Sequence, residues 1–367
     1  MKLRIGVLYG GRSGEHDVSL CSAASIVSAL DPLKYEIIAI GIDRNGRWFV
    51  QDRPVIVDHA DFGRVLTIEK MGIWYVNHYE EGGKLFLHNV EDGRRVGVDV
   101  VFPAVHGTFC EDGTLQGLLE LAMVPYVGAD SIGSSVGIDK DISKRLLRDG
   151  GIPVVPWITV SRTEWTGGGT RVIEAAGEKL AGPPLFVKPA RTGSSVGVKK
   201  VKRGDELGEA VDYAFMFDAK ILIEKGIDGR EIECSVLGNT KPMASVLGEI
   251  IPSHEFYSYE SKYIDPDGAK LVIPADVEQP VADSIRETAI NAYRILSCSG
   301  MARVDFFLEK SGVFYVNEIN TIPGFTRISM YPKLWERSGI GYSALIDNLI
   351  DLALERHRDK MRIRTEW

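Results

Sequence analysis

Residues 301–320, MARVDFFLEKSGVFYVNEIN, constrain the fold more than any other stretch of the chain. Two apolar runs flank Glu309-Lys310-Ser311-Gly312, which reads as a four-residue hairpin turn. Side chains alternate between the two faces of a strand. With Leu308 paired to Val313, Asp305 lies opposite Val316 and Arg303 opposite Glu318. Arg303, Asp305 and Phe307 then share a face with Glu318 and Asn320, and Val304, Phe306 and Leu308 form a core stripe. A slip of one residue would turn one strand's set to the other side. Two carboxylates and an amide oxygen make a hard-oxygen set that suits Mg²⁺, and adjacent carboxylates are costly without a cation. On the hairpin alone, an Arg–Asp–Glu salt-bridge cluster on a half-exposed sheet is the stronger reading.

The rest of the chain alternates strands and helices. Residues 3–9 are an apolar strand running into Gly10, Gly11 and Gly14, a helix is expected over 19–30, and residues 36–42 form a second strand. Residues 98–105 and 124–127 add strands, and 114–122 a helix. This order implies an α/β fold whose N-terminal domain has a doubly wound parallel sheet. Residues 51–95 are polar and turn-rich and read as a decorated insertion. A helix is expected over 138–149, an exposed loop over 161–170 around Gly167-Gly168-Gly169, and strands over 185–189, 196–201, 221–227, 231–237 and 244–250. Helices follow over 281–296 and 342–356, and the basic tail from Arg356 reads as a solvated helix end.

Composition closes off other classes. With 43 Lys+Arg against 51 Asp+Glu, the net charge is −8, which argues against a nucleic-acid binder. No stretch approaches the roughly 18 apolar residues of a membrane span, and the N-terminus has no signal-peptide pattern. The four cysteines are scattered, so they read as reduced thiols of a cytoplasmic protein. Gly10-Gly11-Arg12-Ser13-Gly14 lacks the spacing of a dinucleotide fingerprint. Thr192-Gly193-Ser194-Ser195-Val196-Gly197 offers amides and hydroxyls to a phosphate, although its glycines alone also suit an ordinary turn. Lys188 ends the strand before it, and by itself reads as surface charge.

Five motifs, in order, carry a resemblance: GGRSGEHDVSL at 10–20, HGTFCEDGTLQG at 106–117, FVKPARTGSSVGV at 186–198, YSYESKY at 257–263, and MARVDFF with NEINTIPGFT at 301–326. Together they resemble the D-alanine–D-alanine ligases of the ATP-grasp superfamily over nearly the whole length. The resemblance implies an ATP-grasp fold in three domains, expected at 1–129, 130–227 and 228–367. It implies ATP-dependent joining of two D-alanines through a D-alanyl phosphate, for cell-wall peptidoglycan. A D-lactate or D-serine ligase of the same family is the alternative.

The resemblance also assigns residues. Asp305, Glu318 and Asn320 match ligands of two Mg²⁺, for which Mn²⁺ is a substitute. Lys140 and Lys188 match phosphate-binding lysines, and Ser194 and Ser195 fall in the phosphate-covering loop. Glu224, Lys225 and Ile227 match the adenine-holding strand, and Glu231 the ribose contact. Phe307 suits packing on adenine, or a core role. Glu15 matches the partner of the first ammonium group, although a carboxylate favoured by a helix N-terminus is the bland alternative, and His106 lies near the same substrate. Arg303 and the amide of Gly324 would stabilise the oxyanion. Lys262 and Ser329 would receive the second carboxylate, with Met330 beside them. Tyr263 would reach Ser194 and point to an amine as second substrate, where D-lactate-using relatives typically have histidine. Ser258 departs from the family's more usual aspartate. A homodimer is implied, with the 51–95 segment a possible contact.

Overall fold

A computed structural model describes residues 2–77, 84–253, 268–326 and 328–364. The YSYESKY motif at 257–263, with Ser258, Lys262 and Tyr263, lies outside them. Three principal sheets follow one another along the chain. In the first, Leu3–Gly10 runs parallel to Tyr35–Ile42 and Val100–Pro103, and Trp48–Val50 pairs antiparallel on the outer edge. Ile5, Val7, Leu8 and Tyr9 have no exposed surface, which is why this strand is continuously apolar. Gly10 has φ +90°, and a Cβ there would meet the Ile42 carbonyl oxygen at 2.2 Å, so the turn requires glycine. The following helix, His16–Ala29, starts three residues earlier than expected and leaves Glu15 at its N-cap.

The 51–95 insertion forms two units. Ile56–His59 and Gly63–Leu66 make a hairpin against the first helix, and Trp74–Asn77, Leu85–Asn89 and Arg95–Val98 make a three-stranded antiparallel sheet. Residues 124–127 contribute one bridge, Val101 to Tyr126, rather than a strand.

The second sheet is antiparallel, in the order Trp157–Ser161, Lys220–Lys225, Leu185–Pro189, Lys199–Val201. Three expectations here are corrected. The helix expected over 138–149 starts at Lys140 and runs to Asp149, preceded by a separate helix, Ser131–Ile138. Asp139 between them is extended, and its carboxylate accepts hydrogen bonds from the amides of Asp141 and Ile142 at 3.2 and 3.1 Å. The expected loop over 161–170 is the start of a helix, Arg162–Leu180. Ser161 and Glu164 form a reciprocal capping box that nucleates it, and the glycine run costs only a kink at Gly168. The strand expected over 196–201 starts at Lys199, because the Val196 amide closes a turn onto the Gly193 carbonyl.

The third sheet runs Ala269–Val272, Met243–Pro252, Arg230–Gly238, Gly300–Leu308, Phe314–Asn320, all antiparallel. One face packs Ile232, Cys234, Val304 and Phe306 against helix Gln279–Ile295. The expected hairpin register is corrected. Leu308 pairs with Phe314, Asp305 with Glu318 and Arg303 with Asn320, with an irregularity between Asp305 and Phe306. The extra residue on the return strand is Asn317. Without it Val316 and Glu318 would share a face; with it Val316 is fully buried in the core while Glu318 lies across from Asp305.

The last helix, Tyr342–Lys360, joins the first core through Leu345, Ile346, Leu349 and Ile350. Arg356 is not a solvated tail residue: it donates to the Tyr126 carbonyl at 2.8 Å, the Ser299 hydroxyl at 2.7 Å and the Gly128 carbonyl. Tyr342 donates to the Phe325 carbonyl at 2.8 Å, and the Ser22 hydroxyl accepts from the Phe325 amide at 3.3 Å. These bonds fix the turn after the Gly300–Asn320 ribbon against the first helix.

Candidate active site

A cavity of about 890 Å³ lies where the three units meet. Glu15, His106 and Glu111 line one side, Lys140 and Ser194 another, Arg303, Glu318 and Asn320 a third, and Gly324, Ser329 and Met330 the far end. Glu15 makes no capping bond with its own helix. Its carboxylate instead accepts a hydrogen bond from the Ser194 hydroxyl, 179 residues away. Ser194 and Ser195 are held at positive φ, 51° and 60°, which presents the loop's hydroxyls. Gly107 is required: at φ +76° a Cβ would lie 2.7 Å from the Glu15 carboxylate.

His106 is buried, with Nε2 3.0 Å from the Ser22 hydroxyl and Nδ1 3.2 Å from the Ile322 carbonyl and 3.5 Å from Glu111. Burial alone would lower its pKa, but the hydrogen bond and charge of Glu111, then the charge of Glu15, hold it above the usual histidine value. Burial, with the charge of Glu15 adding to it, raises Glu111 above the usual carboxyl range against the opposing pull of His106. The sequence reading missed Glu111, although it stands inside the HGTFCEDG motif.

Arg303 donates from Nε and Nη2 to Asp305 at 2.7 and 2.8 Å, and its Nε lies 3.0 Å from Glu233. Glu233, directly across the sheet from Asp305, was also missed; alternation along Arg230–Gly238 puts it on the face of Glu231. Lys140, first residue of its helix, donates to the Thr192 carbonyl at 2.8 Å and lies 3.3 Å from Glu318. The Asn320 amide oxygen is buried and has no hydrogen-bond partner among the described residues. No cluster of three His, Cys, Asp or Glu side chains forms a closed metal cage among those residues. Two facing carboxylates and an orphaned amide oxygen nonetheless fit Mg²⁺, which keeps water and phosphate in its shell.

Behind this cavity, Glu224 is 1% exposed and paired with Lys144 at 3.0 Å and Lys188 at 2.7 Å. Burial would raise its pKa, but the two lysines together hold it below the carboxylate norm. Burial lowers Lys144, which also donates to the Val155 carbonyl at 3.3 Å. Lys188 is pulled down by burial but carried above its usual value by Glu224, and donates to the bulge residue Asn317 at 3.2 Å. Lys144 was not singled out from sequence; its place one turn after Lys140 was the available signal.

The remaining residues expected to hold the nucleotide do not line the cavity. Glu231 lies across from Phe307, both half-buried; Lys225 is exposed with its amide bonded to the Pro156 carbonyl, and Ile227 is half-buried. Ser329, the N-cap of Met330–Arg337, bonds Thr326 and sits against Gly324, where a Cβ would lie 2.7 Å from its hydroxyl. The inserted hairpin adds Asp58, Asp61, Phe62 and Arg64 to the cavity's lining, which no sequence motif indicated.

Comparison with known proteins gives concordant matches. The family model "D-ala D-ala ligase N-terminus" matches residues 4–129 and "D-ala D-ala ligase C-terminus" residues 146–351. D-alanine–D-alanine ligase A of Salmonella typhimurium is 47% identical over 99% of both chains. The solved D-alanine–D-alanine ligase from Coxiella burnetii is 40% identical, with a TM-score of 0.80 over 98% of both chains. The VanG D-Ala:D-Ser ligase from Enterococcus faecalis is 34% identical at TM-score 0.80, covering 96% of this chain and 100% of its own.

Proposed function

The chain belongs to the D-alanine–D-alanine ligase family, and from that premise we propose that it joins two D-alanines to D-alanyl-D-alanine at the expense of ATP, through a D-alanyl phosphate. It is an ATP-grasp ligase of the kind that supplies the dipeptide for peptidoglycan. The observation that carries the substrate reading is the bond between Ser194 and Glu15 on a cavity that also holds Arg303 and Glu318. Glu15 receives the ammonium group of the first D-alanine, with His106 beside it. Arg303 and the Gly324 amide face the oxyanion that develops as the second amine attacks. Ser329 and Lys262 receive the carboxylate of the second D-alanine, next to Met330. Ser194 links Glu15 to Tyr263, so that lid closure requires an occupied site.

On the nucleotide side, Lys140, Lys188, Ser194 and Ser195 bind phosphate. Glu224, Lys225 and Ile227 hold adenine, Glu231 the ribose, and Phe307 packs on the base. Asp305, Glu318 and Asn320 would hold two Mg²⁺, which would neutralise and polarise the phosphates. The division at 1–129, 130–227 and 228–367 is supported by the three sheets falling one in each segment. Exposed Ile73, Tyr75 and Val90 on the inserted sheet support a homodimer, tested by light scattering. Four buried free cysteines, and no helix long and apolar enough to cross a membrane among the described residues, support a cytoplasmic location.

The test is product analysis after incubation with Mg·ATP and D-alanine, D-serine and D-lactate in competition. The expected product is D-alanyl-D-alanine with ADP and phosphate. A mixed D-Ala-D-Ser product would favour the VanG-like alternative, and equal turnover of L-alanine would refute the stereochemical assignment.

A further inference from the structure

The geometry points to Glu233 as a positioning residue: it anchors the Arg303 guanidinium at the cavity wall, so that Asp305 can turn to a metal ion without Arg303 following it. The inference rests on the metal and oxyanion roles proposed above. Arg303 is a half-buried cation set among carboxylates, and such a cation is costly to leave unpaired. Asp305 spends both oxygens on it, at 2.7 and 2.8 Å. The same carboxylate, facing Glu318 across the ribbon, belongs to the set that fits Mg²⁺. Metal and guanidinium therefore compete for Asp305. Glu233 stands on the neighbouring strand, opposite Asp305, 5% exposed, lining the cavity and 3.0 Å from Arg303 Nε. It holds Arg303 from the side away from Glu318, which belongs to the ribbon's outer strand. A protein without that second anion would force a choice between a bound metal and an oriented arginine.

The experiment compares wild type with Glu233→Gln, which keeps the shape and removes the charge. Mn²⁺ binding in the presence of a non-hydrolysable ATP analogue is followed by electron paramagnetic resonance, alongside steady-state kinetics. Glu233→Gln should weaken Mn²⁺ binding and lower kcat by about 10-fold each, with KM for ATP nearly unchanged. Glu233→Asp should restore most of the Mn²⁺ affinity, and serves if the glutamine variant does not fold. In an Arg303→Lys background the same glutamine change should have a much smaller effect on Mn²⁺, because the anchored guanidinium is already gone. Unchanged Mn²⁺ affinity, an equal loss in the Arg303→Lys background, or a change confined to KM for D-alanine would each overturn the inference. Absence of dipeptide formation by wild type would instead count against the proposed function.

Discussion

Two charged clusters lie side by side in this protein, and their balances differ in sign. Around Glu224, one carboxylate is flanked by Lys144 and Lys188, two cations to one anion, and all three side chains are largely buried. On and beside the neighbouring ribbon, Asp305, Glu318 and Glu233 face Arg303 and Lys140, three anions to two cations among the described residues. The first cluster has positive charge to spare and suits an incoming phosphate. The second holds more anions than cations among the described residues, with an amide oxygen that has no partner among them, and suits an incoming cation. A chain of net charge −8 thus binds a polyanion through local imbalance, with Lys188 on the edge between the two clusters through its bond to Asn317.

The comparison can be broken most sharply at Glu318. Glu318→Gln should lower turnover by about 10³-fold while the melting temperature stays close to wild type. Near-normal activity in a verified sample would remove Glu318 from the metal set. Lys144→Met probes the other cluster: it takes one cation from a buried ion pair and should cost about 3 kcal/mol in denaturant unfolding. A neutral result would mean that Lys188 alone suffices for Glu224.

Acid sharpens the same contrast. The folded pKa of Glu224 lies below its ordinary 4.5, so its ion pairs contribute stability above that pH, and this is lost as pH falls through the folded value. Glu224→Gln should therefore flatten the acid limb of a stability–pH curve. His106 has the opposite sign: its pKa is raised above 6.5, so its contribution is present below that pH and fades as pH rises through the folded value. Glu111→Gln should reduce that fade, as followed by the His106 ring signals in NMR. The smallest effect belongs to a site outside both clusters. Ser161→Ala should lower stability by about 1 kcal/mol through loss of the capping box, with turnover unchanged.

Much of the site was legible because its motifs are local. Glu15, His106, Ser194, Arg303, Glu318 and Asn320 each sit in a short run whose residue types announce polar chemistry, and all six line one cavity. The local signals of Glu111, Lys144 and Glu233, a place in a motif, in a helical turn or in a strand's alternation, do not separate a partner from a surface charge; burial and a partner far along the chain make the difference. The helix at Arg162–Leu180 was obscured by its glycines, although Ser161-x-x-Glu164 was readable as a start signal. The hairpin register was missed because a bulge leaves no mark in an alternating pattern: Val316 had to reach the core and Glu318 the site, and only an extra residue allows both.

By itself, the sequence determined the alternation of elements, the polar face of the ribbon and the family, since each depends on residue type and short spacing. Tertiary structure decided which carboxylates are paired and with what. Glu15 meets Ser194 across 179 residues, and Glu233 meets Arg303 only because Arg230–Gly238 lies next to Gly300–Leu308 in the sheet. Charge balance within a site is a property of distance in space, and in an antiparallel sheet that distance is set by strand order and register, which a linear pattern leaves open.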